Sequence, residues 1–194
     1  TPQSEVYMAG GTSFYMSRGM SQLPHNVNYE LVTKVGQGQM PEVEKLRQRD
    51  IEVRCFESRH TVYFENRYGI DTNARTQRVL AKADPFTLDE MRPLEAKVFH
   101  LGTLLSDDFA PEVVKHLSTK GKISIDAQGY LREVVGEQVH AIDWKDKEAV
   151  LAYTDILKLN EHEMRVITNS DDPRTVARQL ADLGVREVVI TFGD

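Results

Sequence analysis

Cysteine is almost missing: Cys55 stands alone among 194 residues. One thiol excludes an internal disulfide and any C-x-x-C metal or redox site. Long apolar runs are missing too. None approaches the roughly 20 residues that a bilayer-spanning helix needs, and no signal-peptide pattern precedes Ala9. Like charges do not cluster in blocks. The 24 basic and 30 acidic residues leave a net charge of −6, which argues against a broad nucleic-acid-binding surface but leaves room for a local basic pocket for phosphate. The expected setting is the cytoplasm, with neither nucleic acid nor membrane as partner. Several catalytic fingerprints are also absent. There is no G-x-G-x-x-G, no G-x-x-x-x-G-K-[ST] and no G-x-S-x-G. His162-Glu163 begins an H-E-x-x-H, but Val166 ends it, and the other histidines show no ligand spacing. No internal repeat or low-complexity segment is present.

What the chain does have is a composition 40% hydrophobic and 28% charged, enough apolar material for one sizeable core. It is organised around Asp155–Glu163. Ile156, Leu157 and Leu159 read as a buried strand, and Met164 with Ile167 begin a helical stripe. Asn160 between them suits an N-cap. Glu161 and Glu163 fall in the first turn, where the helix dipole favours negative charge. Helix stability alone accounts for that placement. A functional reading adds that the carboxyl end of a strand in an α/β sheet faces the ligand crevice. There an amide and a carboxylate three residues apart can hold a hydrated Mg²⁺ beside phosphate oxygens.

Taken in order, Gly10-Gly11-Thr12 is a glycine turn entering a helix that stops before Pro24. Tyr29 to Val35 is a strand closed by Gly36-Gln37-Gly38. Pro41 to Arg49 is a short helix with Val43 and Leu46 inward. Between Ile51 and Ala83 the period changes to alternation, in runs around Ile51–Cys55, Val62–Glu65 and Arg75–Ala81, with a turn at Tyr68–Asn73. Alternation implies strands with one solvated face, hence a small antiparallel sheet at 51–83, either an edge meander or a lid over a cleft. From Lys97 strand and helix alternate: strands at 98–102, 122–126, 156–159 and 187–192, with helices from Pro111, Asp146, Asn160 and Asp172. Val188 to Thr191 is expected to be buried. This rhythm argues for a parallel, doubly wound sheet.

Four polar clusters follow strands: Gly102-Thr103, Asp126 to Gly129, Asn160 to Glu163, and Thr191 to Gly193. Parallel strands bring their carboxyl ends to one rim, so these clusters can converge. Convergence argues for a site and leaves its chemistry open.

In this order the motifs resemble the ribokinase-like, or PfkB, family of carbohydrate kinases over residues 1–194. Gly10, Gly11 and Thr12 resemble its GG(N/T) segment, which approaches the sugar hydroxyls. The 51–83 sheet is similar to its lid, which closes on substrate and in several members pairs subunits. Ile125 to Arg132 resembles the D-x-N/Q-x(n)-R segment on the cleft rim, and Lys158 to Glu163 matches K-x-N-x-x-E. Val189 to Gly193 resembles the V-x-T-x-G strand that begins the nucleotide site. The resemblance implies a ribokinase-like α/β fold with an antiparallel lid. It implies ATP-dependent phosphoryl transfer to a hydroxyl of a sugar, polyol or nucleoside. Substrate would be bound by Gly10, Gly11, Thr12, Asp126, Gln128 and Arg132, with Asn66 and Arg75 of the lid as weaker candidates. Nucleotide would be bound by Lys158, Asn160, Glu163, Thr191 and Gly193, and Mg²⁺ would be held through water by Asn160 and Glu163. Two family features have no counterpart: the Asp of the first strand, before Gly10, and the GAGD segment with its catalytic base, expected beyond Asp194. The sequence is therefore expected to be the amino-terminal and central portion of a longer kinase. The alternative is a non-catalytic sugar- or nucleotide-binding protein on the same fold.

Overall fold

Gly11 adopts φ 88°, ψ 164°, a backbone region open in practice only to glycine, and helix α1 (Thr12–Met20) starts at the next residue. This computed structural model describes residues 5–24, 27–68 and 75–193, without the side chain of Arg75. The turn expected at Tyr68–Asn73 lies outside the described residues from position 69 onward. The chain divides into two compact units, Thr1–Thr61 and Val62–Asp194.

In the first unit, strand β1 (Glu30–Val35) leads through a 3₁₀ turn into helix α2 (Met40–Arg47) and then strand β2 (Glu52–Glu57). Pro41 sits in the first turn of α2, where its missing N–H would be unpaired anyway. Val43 and Leu46 face inward and pack with Leu31, Ile51 and Val53. Strands β1 and β2 pair in parallel, from Glu30 opposite Glu52 to Val35 opposite Glu57. The run beginning at Ile51 is thus no part of the antiparallel sheet expected over 51–83. Alternation reports a solvated face and says nothing about the direction of the neighbouring strand. Here α2 supplies the crossover that a parallel pair requires.

The second unit contains β3 (Tyr63–Tyr68), β4 (Arg75–Ala81), α3 (Leu88–Met91), β5 (Val98–Gly102), α4 (Pro111–Ser118) and β6 (Lys122–Asp126). It continues with β7 (Arg132–Val135), β8 (Gln138–Ala141), α5 (Lys147–Leu151), β9 (Ile156–Asn160), α6 (Glu161–Thr168), α7 (Pro173–Asp182) and β10 (Glu187–Thr191). A parallel sheet runs in the order β10-β9-β6-β5, and an antiparallel sheet in the order β3-β4-β8-β7. One face of the parallel sheet is a continuous apolar layer of Phe99, Leu101, Ile123, Ile125, Leu157 and Leu159, all buried. Val114 and Leu117 of α4, Met164 and Ile167 of α6, and Val176 and Leu180 of α7 are buried with it. Each such side chain contributes about 1.5–3 kcal/mol relative to exposure. The other face carries His100, Ser124, Asp126, Lys158 and Asn160.

Two details depart from the expectation. Among the described residues strand β10 pairs with β9 alone, and Glu187, Val189 and Thr191 are exposed where a buried strand was expected. The antiparallel sheet gains half its strands from a hairpin at 132–141, which turns at Gly136-Glu137. Arg132 therefore opens a strand.

Candidate functional site

The polar clusters of the second unit do meet at one rim, because β5, β6 and β9 are parallel and in register there. Gly102 lies opposite Asp126, and Asp126 opposite Lys158. Thr103, just past β5, has no exposed surface. Its hydroxyl donates to the Asp126 carbonyl at 2.8 Å and accepts from the Gly129 N–H at 3.1 Å. A Cβ on Gly129 would stand 2.5 Å from Thr103 Oγ1 and from its carbonyl carbon. Only glycine allows this approach. The Asp126 carboxylate then accepts the Gln128 N–H at 3.2 Å on one oxygen and meets Lys158 Nζ at 3.2 Å on the other. Gln128 thus contributes to the turn through its backbone.

The same segment is pinned further along. Tyr130 is buried, stacks on Trp144 with centroids 3.9 Å apart, and donates its hydroxyl to the Phe109 carbonyl at 3.1 Å. Two residues later Arg132 lays its guanidinium over the Phe64 ring at 5.7 Å and donates to Gln77 Oε1 at 3.4 Å.

At the end of β9, Asn160 and Glu163 form a reciprocal capping box. Asn160 Oδ1 accepts the N–H groups of His162 and Glu163, each at 2.9 Å. Glu163 Oε2 accepts the Asn160 N–H, also at 2.9 Å. Glu163 is buried, and burial pushes its carboxyl above the ordinary range. The backbone bond from Asn160 and the charges of Lys158 and Arg132 oppose that rise, while Asp126 adds to it. Asp126, Lys158 and Arg132 thus surround Glu163 as one cluster of charges, each acting on its carboxyl.

Among the described residues no group of three or more His, Cys, Asp and Glu side chains is placed to hold a metal directly. With Asn160 Oδ1 and Glu163 Oε2 committed to the cap, and both Asp126 carboxylate oxygens engaged by the Gln128 N–H and Lys158 Nζ, the second carboxylate oxygen of Glu163 remains. So few open oxygen donors fit a hydrated Mg²⁺ better than a desolvated ion.

His100, two residues before Gly102 on this face, places Nδ1 3.0 Å from Ser124 Oγ. Burial lowers its basicity; the Asp126 charge opposes that effect and Lys158 adds to it. Beside the rim, Thr191 is the register partner of Asn160. The Gly193 N–H donates to Glu161 Oε1 at 3.3 Å.

Across residues 1–194 the chain matches the sequence profile described as the pfkB family of carbohydrate kinases. The chain belongs to that family. Among solved structures it is similar to a pyrophosphate-dependent kinase in the ribokinase family, in a sulfate complex. Identity is 29% and the TM-score 0.80, over 86% of this chain and 60% of that one. It is similar to such a kinase complexed with a pyrophosphate analog and myo-inositol, at 28% identity and TM-score 0.79, over 87% and 60% of the two chains. A third neighbour is a pyrophosphate-dependent myo-inositol-1 kinase converted into a myo-inositol-3 kinase by replacing one asparagine and one serine with leucine. It shows 26% identity and TM-score 0.82, over 96% of this chain and 64% of that one. The chain thus spans about three fifths of the length of each. No curated protein matches it in sequence.

For this pfkB-family chain, the expected residues fall into three groups. Asp126, Arg132, Lys158, Asn160 and Glu163 form the cluster just described, with Thr191 and Gly193 beside it on the adjoining strand end. Gly10, Gly11 and Thr12 belong to the first unit, where they start α1. Asn66 lies on β3. Sequence reasoning missed the roles of Thr103, His100, Glu161 and Gln77. The one available signal was the alternation of Arg132–Ala141 about Gly136, which marks the hairpin that carries Arg132 beside Gln77.

Proposed function

We propose that the protein transfers a phosphoryl group from a phosphoanhydride donor to a hydroxyl of a polyol or sugar. The observation that carries this reading is the cluster of Asp126, Lys158, Arg132 and Glu163 at the carboxyl ends of β6 and β9. Phosphoryl transfer asks a protein chiefly for positioning and charge stabilisation, which two cations and two carboxylates beside a capped helix can supply. Lys158 and Arg132 would meet phosphate oxygens. Asn160 and Glu163 would orient water around Mg²⁺, which when bound neutralises phosphate charge. Asp126 and Gln128 would face the acceptor, and Thr191 and Gly193 would border the donor; for Gly10, Gly11 and Thr12 of the first unit the family resemblance implies acceptor binding.

Two donors are consistent with family membership. ATP is the one implied by the resemblance. Pyrophosphate is favoured by three neighbours at 26–29% identity, so it is the first to test. The same neighbours favour a cyclic polyol within the wider class of sugars, polyols and nucleosides. In the redirected inositol kinase the two exchanged positions lie eleven residues apart. Asn66 and Gln77 of this chain have the same separation and face each other across β3 and β4. Included in the proposal are a lid role for the antiparallel sheet, pairing of two copies through it, and a cytoplasmic setting. No helix among the described residues is long and apolar enough to cross a membrane.

The test is to incubate the natively expressed protein with pyrophosphate or ATP, with and without Mg²⁺, and with myo-inositol, ribose, fructose or adenosine. Phosphorus NMR then reports a phosphomonoester. Product with either donor supports the reading. Calorimetric binding without product would establish the non-catalytic alternative.

A further inference from the structure

Helix α6 is capped without help from Glu161. Asn160 Oδ1 takes the N–H groups of His162 and Glu163, and Glu163 Oε2 takes the Asn160 N–H. Glu161, the first residue of the helix, instead sends its carboxylate across to the neighbouring strand end. Its Oε1 accepts the Gly193 N–H at 3.3 Å and lies 3.9 Å from His162 Nε2. The reach is short because β9 and β10 run parallel and in register, with Thr191 opposite Asn160, so the chain leaves both strands at one rim. The contact is open to solvent: the Glu161 side chain is 24% exposed and Phe192, beside Gly193, is 61% exposed. A carboxylate oxygen on a backbone N–H offers the same charge-assisted bond that a phosphate oxygen would.

We propose that Glu161 gates the donor side of the site: its carboxylate holds the Gly193 N–H until a donor phosphate oxygen displaces it, and its charge sets how tightly a polyanion is taken there. This rests on the reading above that Thr191 and Gly193 border a phosphoanhydride donor. At 3.3 Å the existing bond is longer than the usual N–H···O range, so one oxygen replaces another there at little cost. The charge is the larger matter. Once displaced, the carboxylate stays tethered beside the incoming phosphate. Like charges a few ångströms apart at a partly exposed position repel enough to lower affinity about threefold to tenfold. Binding then depends on the cations that meet the rest of the polyanion, Lys158 and Arg132. An anion too small to reach them gains one N–H and bears the same repulsion.

The experiment compares wild type with E161Q, E161D and E161A in the natively encoded full-length protein. E161Q keeps an oxygen for the Gly193 N–H and drops the charge. E161D keeps the charge and draws it back by one methylene, and E161A removes both. Calorimetry gives the Kd of methylenediphosphonate and of a β,γ-imido analog of ATP, and kinetics give KM for donor and acceptor separately. In E161Q and E161A the analog Kd and the donor KM are expected to fall about threefold to tenfold, with the acceptor KM unchanged and E161D near wild type. The gain should shrink as salt rises from about 50 to about 500 mM, because screening weakens the repulsion that wild type carries. A merely structural contact would loosen the strand end on removal and raise the donor KM, with no such salt dependence. Donor constants that stay the same or worsen in both E161Q and E161A, while wild type forms product, overturn the gate and leave the kinase reading intact. A wild type that neither binds the analogs nor forms product removes the donor-site reading and this proposal with it. Should E161A fail to fold, the conservative E161Q carries the same comparison.

Discussion

Lys158 Nζ lies 3.2 Å from Asp126 Oδ2, on register partners of two adjacent parallel strands. The pair is partly open to solvent, with side chains 34% and 14% exposed, so it contributes about 1 kcal/mol or less to folding. Its larger effect is on neighbours, since Lys158 opposes both Asp126 and Glu163. Lys158→Met is therefore expected to lower kcat about 100-fold, the order seen when one charge-stabilising group is lost, at little cost in stability. Denaturant melts and kinetics on the same preparation check this. A variant that loses activity only in proportion to unfolding would contradict it.

Glu163 holds a cap and a charge at once, and two substitutions separate them. Glu163→Gln keeps an oxygen for the Asn160 N–H, so the cap survives while the buried charge goes. We expect unchanged or slightly higher stability, a large fall in kcat and weaker Mg²⁺ dependence. Glu163→Ala also loses the reciprocal bond to Asn160 and is expected to cost about 1 kcal/mol more. Unchanged kinetics across a Mg²⁺ titration of Glu163→Gln would remove Glu163 from the site.

The Thr103 hydroxyl serves two backbone groups at once. Thr103→Val keeps the shape but leaves the Asp126 carbonyl and the Gly129 N–H buried without it, at an expected cost of about 1–3 kcal/mol. Thr103→Ser should be nearly silent. Gly129→Ala drives a methyl into the backbone at Thr103 and is expected to destabilise by at least about 2 kcal/mol. Melting temperatures of the three variants test the order, and a Thr103→Val variant as stable as Thr103→Ser would refute it.

Much of this site is visible in the residues themselves. Asn160 and Glu163 stand three apart where a strand pattern becomes a helical one, and local capping chemistry is enough to place them. Asp126 is legible as the last residue of an apolar run. The Thr103–Gly129 contact is not, because it joins positions 26 residues apart in sequence through a hydroxyl whose partner only the sheet register selects. Strand β2 illustrates the same limit. Its alternation shows which side chains face solvent, and its pairing with β1 depends on a tertiary choice. Gln77 was invisible for a third reason, since its meaning comes from Arg132, which arrives on a hairpin 55 residues later.

His100 and Glu163 give opposite pH responses. Burial holds the His100 imidazole below its ordinary value of 6.5, so the unfolded chain binds more protons there as pH falls. Stability from this group is complete above pH 6.5 and is lost on acidification toward its folded value. Glu163 is raised above 4.5, so its folded form favours the proton. Its contribution is complete below pH 4.5 and declines as pH rises through the folded value. His100→Gln, which can still bond Ser124, should flatten the loss of stability between about pH 7 and 5.5. Glu163→Gln should remove the opposing response, a loss of stability as pH rises from 4.5. Urea unfolding of wild type and both variants across that range measures the slopes. If His100→Gln leaves the slope of wild type unchanged, the imidazole titrates alike in the folded and unfolded chains, and burial does not set its basicity.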